Sequence, residues 1–126
     1  MIAGLGTDIV EISRVSKVYD STGEAFLKRI LTAFELTELP TNPDRQPAFL
    51  AKRFAVKEAA AKALGTGISE GVSFLDFEVQ HTALGAPILV VTGKAHEIAE
   101  ERDVNKWHLS ISDEQDYVVA TVIMEV

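Results

Sequence analysis

The stretch FLAKRFAVKEAAAKAL, Phe49 to Leu64, is followed at once by Gly65-Thr66-Gly67. Its Ala, Lys, Glu and Leu are strong helix formers, and a glycine past the last apolar residue is the usual helix stop. The stretch therefore predicts one long helix over Phe49–Leu64. The rest of the chain is organised around it. On its N-terminal side lie three shorter helical segments: Glu11–Tyr19, broken by Ser21-Thr22-Gly23; Glu24–Leu31, with Phe26, Leu27 and Ile30 on one side; and Thr32–Leu39. The last carries Thr32 as N-cap and Glu35 three residues on, the pattern of a capping box. Pro40 to Pro47 holds three prolines and reads as a loop.

Strands flank these helices. Met1–Val10 is rich in Ile, Leu and Val and reads as a buried strand ending near Asp8, with Thr7 or Asp8 available to cap the helix that follows. Val72–Gln80 alternates around Phe74, Phe77 and Val79. Ala83–Pro87 reads as a turn, Ile88–Val91 as a short strand and Lys94–Arg102 as a helix. Trp107–Ser112 and Tyr117–Val126 form a β-hairpin across Asp113-Glu114-Gln115-Asp116. Helices mixed with mainly antiparallel strands make the fold class α+β: a small sheet packed against one long helix and several short ones.

The 126 residues fit a single domain spanning 1–126, and 47% hydrophobic with 25% charged residues is a globular composition. The absence of cysteine excludes disulfides and thiolate metal sites. The apolar N-terminus carries Asp8 and no basic leader, so it does not read as a signal peptide. No apolar run approaches the roughly 20 residues of a membrane span, and the expected location is the cytoplasm. A net charge of −7 argues against general nucleic-acid binding. The charge is uneven, however. Arg45, Lys52, Arg53, Lys57 and Lys62 meet one acid, Glu58, across Arg45–Lys62, whereas Glu97–Val126 carries eight acids and two bases. Such an island suits an anionic ligand, although charge alone leaves a solvated helix face equally open.

Three residues are candidates for chemistry. Glu58 and Lys62 share a helix face, one turn apart, and as a bare pair they make an intrahelical ion pair worth a few tenths of a kcal/mol. The alanines between them leave room for a ligand or for a neighbouring helix. Asp8 is open to two readings, a helix N-cap or a metal ligand. Mg²⁺ takes one or two carboxylates and fills its octahedron with water and phosphate, so Asp8 with Glu58 would suffice, with Lys62 as a point charge for phosphate. Spacing alone does not bring Asp8 to Glu58. Gly65-Thr66-Gly67 lacks the GxxxxGK[ST] spacing of a nucleotide-hydrolase loop. His81, His96 and His108 lack metal-ligand spacing, GxSxG is absent, and alternation puts His108, Ser110 and Ser112 on one strand face.

GLGTDIVEISR (Gly4–Arg14) and FAVKEAAAKALGTG (Phe54–Gly67) resemble the two signature motifs of the holo-acyl-carrier-protein synthases, the small bacterial type of 4′-phosphopantetheinyl transferase. LGAP (Leu84–Pro87) and HLSIS (His108–Ser112) follow in the family's order, so the resemblance covers essentially the whole chain. It implies the fold of that family. It implies transfer of 4′-phosphopantetheine from coenzyme A to a serine of apo acyl carrier protein, releasing adenosine 3′,5′-bisphosphate, in support of fatty acid biosynthesis. It implies Mg²⁺ held by Asp8 and Glu58, Lys62 at the pyrophosphate, and a homotrimer with sites between subunits. Arg53 and His108 are then contacts for coenzyme A phosphates, and Gly65, Gly85 and Pro87 shape the adenine pocket. Glu58 is the candidate base for the serine hydroxyl. An acidic carrier protein would dock on Arg14, Lys28 and Arg29, with Phe26 as an apolar contact. One departure is visible: many relatives carry a second histidine where this chain has Asp113 and Glu114. Two other classes fit parts of the pattern. A coenzyme A- or carrier-binding module needs no metal pair, and a nucleotide-pyrophosphate hydrolase needs no protein acceptor.

Overall fold

The computed structural model describes residues 1–126. The chain runs β1 (Ile2–Glu11), α1 (Ile12–Thr22), α2 (Glu24–Ile30), α3 (Ala33–Thr37), α4 (Gln46–Leu64), β2 (Phe77–His81), β3 (Pro87–Val91), α5 (Gly93–Glu101), β4 (Lys106–Asp113) and β5 (Tyr117–Glu125). The strands form a three-stranded antiparallel sheet in the order β1-β5-β4 and a separate antiparallel β2-β3 hairpin. This is the α+β architecture expected.

The long helix lies across the three-stranded sheet. Eleven of its nineteen residues are buried, so α4 is a core element and not an amphipathic surface helix. Its alanines serve that packing. A Cβ added to Gly4 or Gly6 of β1 would lie 2.1 Å from the Ala63 carbonyl oxygen or 1.9 Å from that of Ala59. Strand and helix backbones therefore touch, which only glycine on one side and small residues on the other permit. Against the same helix, the central strand β5 buries Val118, Ala120, Val122 and Met124 completely.

Several boundaries differ from expectation. β1 does not end near Asp8, and neither Thr7 nor Asp8 caps a helix. The strand continues because β5 supplies backbone partners as far as Glu11↔Tyr117, and Asp8 is paired with Ala120. Helix α1 starts at Ile12 behind Glu11, which makes no side-chain cap, and continues through Thr22 to the left-handed Gly23. The Pro40–Pro47 loop is shorter than expected. Pro43–Arg45 is a 3-10 turn, and α4 begins at Gln46 with Pro47 in its first turn, where no N–H is needed. Of Val72–Gln80 only the second half is strand. Phe74–Asp76 is a 3-10 turn in which Phe74 and Phe77, three apart, both point into the core. The Asp76 carboxylate fixes that turn by accepting from Ser73 N and Ala95 N.

The capping box at Thr32 and Glu35 forms as expected. Glu35 does more than cap. It is fully buried and accepts from Lys57 Nζ and, at 3.0 Å, from the Val79 backbone N–H. Arg53 is drawn to the same carboxylate, its Nε 3.4 Å away. The basic island is therefore not a solvated face. Two of its five cations are buried against Glu35, tying α3, α4 and β2 together.

Candidate active site

Because strand side chains alternate, Gly4, Gly6, Asp8 and Val10 of β1 all face α4. The glycines bring the strand against Ala59 and Ala63, and the same approach sets Asp8 beside the next exposed turn of the helix, that of Glu58 and Lys62. These three side chains line one cavity of about 400 Å³. Its other walls come from Arg14, Val15 and Val18 of α1, Phe26 of α2, Phe54 of α4, and Ile9 and Val10 of β1.

Lys62 does not pair with Glu58. Its Nζ donates across to Asp8 Oδ1 at 3.0 Å and to the Thr7 carbonyl at 3.1 Å. Glu58 is left half-buried with no ion pair of its own. Its carboxyl is pushed above the ordinary glutamate value, first by burial and then by the Asp8 charge, with Lys62 opposing. Two carboxylates that repel each other at the mouth of a cavity suit a hard divalent cation. No group of three or more carboxylates or imidazoles is placed so that it could hold a metal ion. The donor set therefore fits an ion that completes its shell with water and phosphate, as Mg²⁺ does, and not an all-protein cage.

A second cavity, about 700 Å³, gathers Arg53, Gly85 and Pro87 with Phe49, Lys52 and Arg45. The Arg53 guanidinium stacks 4.5 Å from the Phe49 ring centroid and donates to Glu38 Oε1 at 3.2 Å. Its buried Nε has no hydrogen-bond partner. Gly85 sits in the β2-β3 turn at φ +91°, a conformation that favours glycine. Asp113 also lines this cavity and is paired with Lys52 at 3.5 Å. The Asp113 charge is thus locally neutralised.

The remaining candidates lie outside both cavities. Gly65 is the left-handed C-cap of α4, φ +88° and exposed. His108 is on the outer face of β4 with Ser110 and Ser112, and its Nε2 is 2.8 Å from Glu125 Oε1. Lys28 and Arg29 end α2, exposed, with Arg29 over the Phe74 ring at 5.9 Å. Within one chain, then, Asp8, Glu58, Lys62, Arg14 and Phe26 converge, and Arg53, Gly85 and Pro87 form a separate group. Sequence reasoning missed Val15, Val18 and Phe54 in the apolar wall. It also missed the Glu35–Lys57 pair. The Gly4-x-Gly6-x-Asp8 alternation was the available signal that Asp8 faces the helix.

A family profile for the 4′-phosphopantetheinyl transferase superfamily matches residues 4–122. A holo-[acyl-carrier-protein] synthase of Vibrio cholerae serotype O1 is 55% identical over 125 residues, covering 99% of this chain and 98% of its own. The crystal structure of the holo-[acyl-carrier-protein] synthase of Neisseria meningitidis superposes with a TM-score of 0.91 at 46% identity, covering both chains completely. That of Bacillus anthracis, in complex with coenzyme A (3′,5′-ADP), superposes at 0.82 with 40% identity, over 98% of this chain and 96% of its own.

Proposed function

The chain belongs to the 4′-phosphopantetheinyl transferase superfamily, among its holo-acyl-carrier-protein synthases, and on that premise we propose how its two cavities divide the work. The activity is that of these enzymes, attachment of phosphopantetheine to acyl carrier protein. In our reading the donor is coenzyme A. The acceptor serine Oγ attacks the phosphorus that bears pantetheine. A new P–O bond forms, the pyrophosphate bond breaks, and adenosine 3′,5′-bisphosphate leaves. The observation that carries this is the convergence of Asp8, Glu58 and Lys62 at one apolar-walled cavity.

Asp8 and Glu58 would hold Mg²⁺, which when bound supplies charge stabilisation to the pyrophosphate. Lys62, half-exposed, places its ammonium against the leaving phosphate as negative charge develops there. Glu58 accepts the serine proton, directly or through one water, a role favoured by its raised carboxyl. Lys52, Arg45 and the guanidinium end of Arg53 serve the nucleotide phosphates from the second cavity, with Gly85 and Pro87 at the adenine. His108 and Gly65 join the site from a neighbouring copy in a homotrimer. Ile2, Leu5 and Ile9, each more than 60% exposed on β1, support such an assembly. Arg14 lies beside Val18 and Phe26, and with Lys28 and Arg29 it offers a cationic and apolar landing for an acidic carrier protein.

One cluster of 25 buried residues supports reading residues 1–126 as one domain. No helix is long and apolar enough to cross a membrane. In our reading the enzyme works in the cytoplasm and serves fatty acid biosynthesis. The test mixes purified protein, coenzyme A, Mg²⁺ and apo carrier protein and follows the carrier by mass spectrometry. A phosphopantetheine adduct is expected, together with its loss in Asp8→Ala. No adduct where a control synthase gives one overturns the proposal. Phosphopantetheine release without carrier protein would point to a hydrolase instead.

A further inference from the structure

We propose that Lys62 is a resident counter-ion for Asp8, one that an incoming divalent cation must displace, so that the cation and an anionic ligand enter the site as a pair. This rests on reading Asp8 and Glu58 as the metal ligands. Three observations carry it. Lys62 stands one turn from Glu58 on the same helix face, yet its ammonium spans to the strand and bonds Asp8 Oδ1 and the Thr7 carbonyl. Asp8 is only 16% exposed at its side chain and has no other ion-pair partner. The charged side chains of the cavity are Asp8, Glu58, Arg14 and Lys62, which sum to zero.

A neutral cavity with an ammonium already on one carboxylate is a weak trap for a lone cation. The ammonium repels the metal and occupies one of the oxygens it needs. Lys62 is 51% exposed at its side chain, so it can swing off Asp8 without unpacking the core. Once displaced, it lies beside the same two carboxylates and is free to meet a phosphate oxygen. Displacement by the cation thus frees the group that binds the anion. Each ligand favours the other, and the coupling is reciprocal.

The test is a titration of ligand-free protein with Mn²⁺, read as loss of the free-ion electron paramagnetic resonance signal, on wild type, Lys62→Met, Lys62→Arg and Asp8→Asn. Far-UV circular dichroism confirms the fold of each. Removal of an exposed ion-pair partner predicts Mn²⁺ binding about two- to fivefold tighter in Lys62→Met. Lys62→Arg should stay near wild type. Coenzyme A should tighten Mn²⁺ binding more in wild type than in Lys62→Met. Binding that is lost in Asp8→Asn but equal or weaker in Lys62→Met overturns the counter-ion role and leaves the metal site standing. If no variant or condition shows Asp8-dependent binding, the metal reading falls and the inference with it.

Discussion

Replacing Lys57 by Met removes one charge from the driest ion pair in the molecule and keeps the unbranched side chain to within one atom of its length. Lys57 and Glu35 are both completely buried. Besides Lys57, the Glu35 carboxylate accepts from the Thr32 and Val79 backbone N–H groups, and the Arg53 Nε lies 3.4 Å away. Breaking a buried pair from one side costs about 3–5 kcal/mol, because the other charge stays behind without its partner. Here two backbone donors and Arg53 keep Glu35 partly satisfied, which places Lys57→Met near the lower end, about 3 kcal/mol. Glu35→Gln belongs nearer the upper end. It leaves the Lys57 ammonium buried without a counter-charge, with only neutral acceptors, the Ile30 carbonyl and the new amide oxygen. Urea unfolding, followed by circular dichroism, measures this. With a slope of about 2 kcal/mol per M, the midpoint of Lys57→Met should fall by about 1.5 M. The double variant Glu35→Gln/Lys57→Met should be less destabilised than the sum of the two singles, since each charge is harmful mainly without the other. A midpoint shift under about 0.5 M, or simple additivity, would refute the reasoning that this pair is desolvated and coupled.

Glu58 makes a prediction with the sign of its shift. Its folded carboxyl titrates above the ordinary value of 4.5, so the native state holds that proton more tightly than the unfolded chain. The stabilisation from this proton is full below 4.5 and is lost as pH rises through the folded value. Glu58→Gln, neutral at every pH, should therefore raise the melting temperature of the ligand-free protein at pH 7, show no such gain at acid pH, and lose transferase turnover; a lower melting temperature at pH 7 would contradict the shift. Gly6→Ala puts a Cβ 1.9 Å from the Ala59 carbonyl oxygen, so strand and helix must part. It should cost about 3 kcal/mol or more and reduce turnover by moving Asp8 away from Glu58, and an unchanged melting temperature would show that the approach is looser than described.

The sequence by itself determined the long helix, the Thr32–Glu35 capping box and the β4-β5 hairpin, because each is written in local periodicity and turn chemistry. Its motifs also identified the family, and the matching profile over residues 4–122 bears that out. Local rules failed where a distant partner decided. Asp8 resembled a helix cap until β5 supplied backbone partners that carry β1 on to Glu11. Val72–Gln80 alternated like a strand, but the Asp76 carboxylate folds its first half into a turn. Lys57 and Arg53 counted toward a basic island open to an anionic ligand or to solvent, yet Glu35 draws both inside. Glu58 and Lys62 were joined by spacing, whereas the folded chain gives Lys62 to Asp8. The candidate site belongs to this second group. Helical spacing fixes which residues of α4 share a face, but only the glycine contact between β1 and α4 decides that a carboxylate fifty residues earlier in the chain stands opposite them.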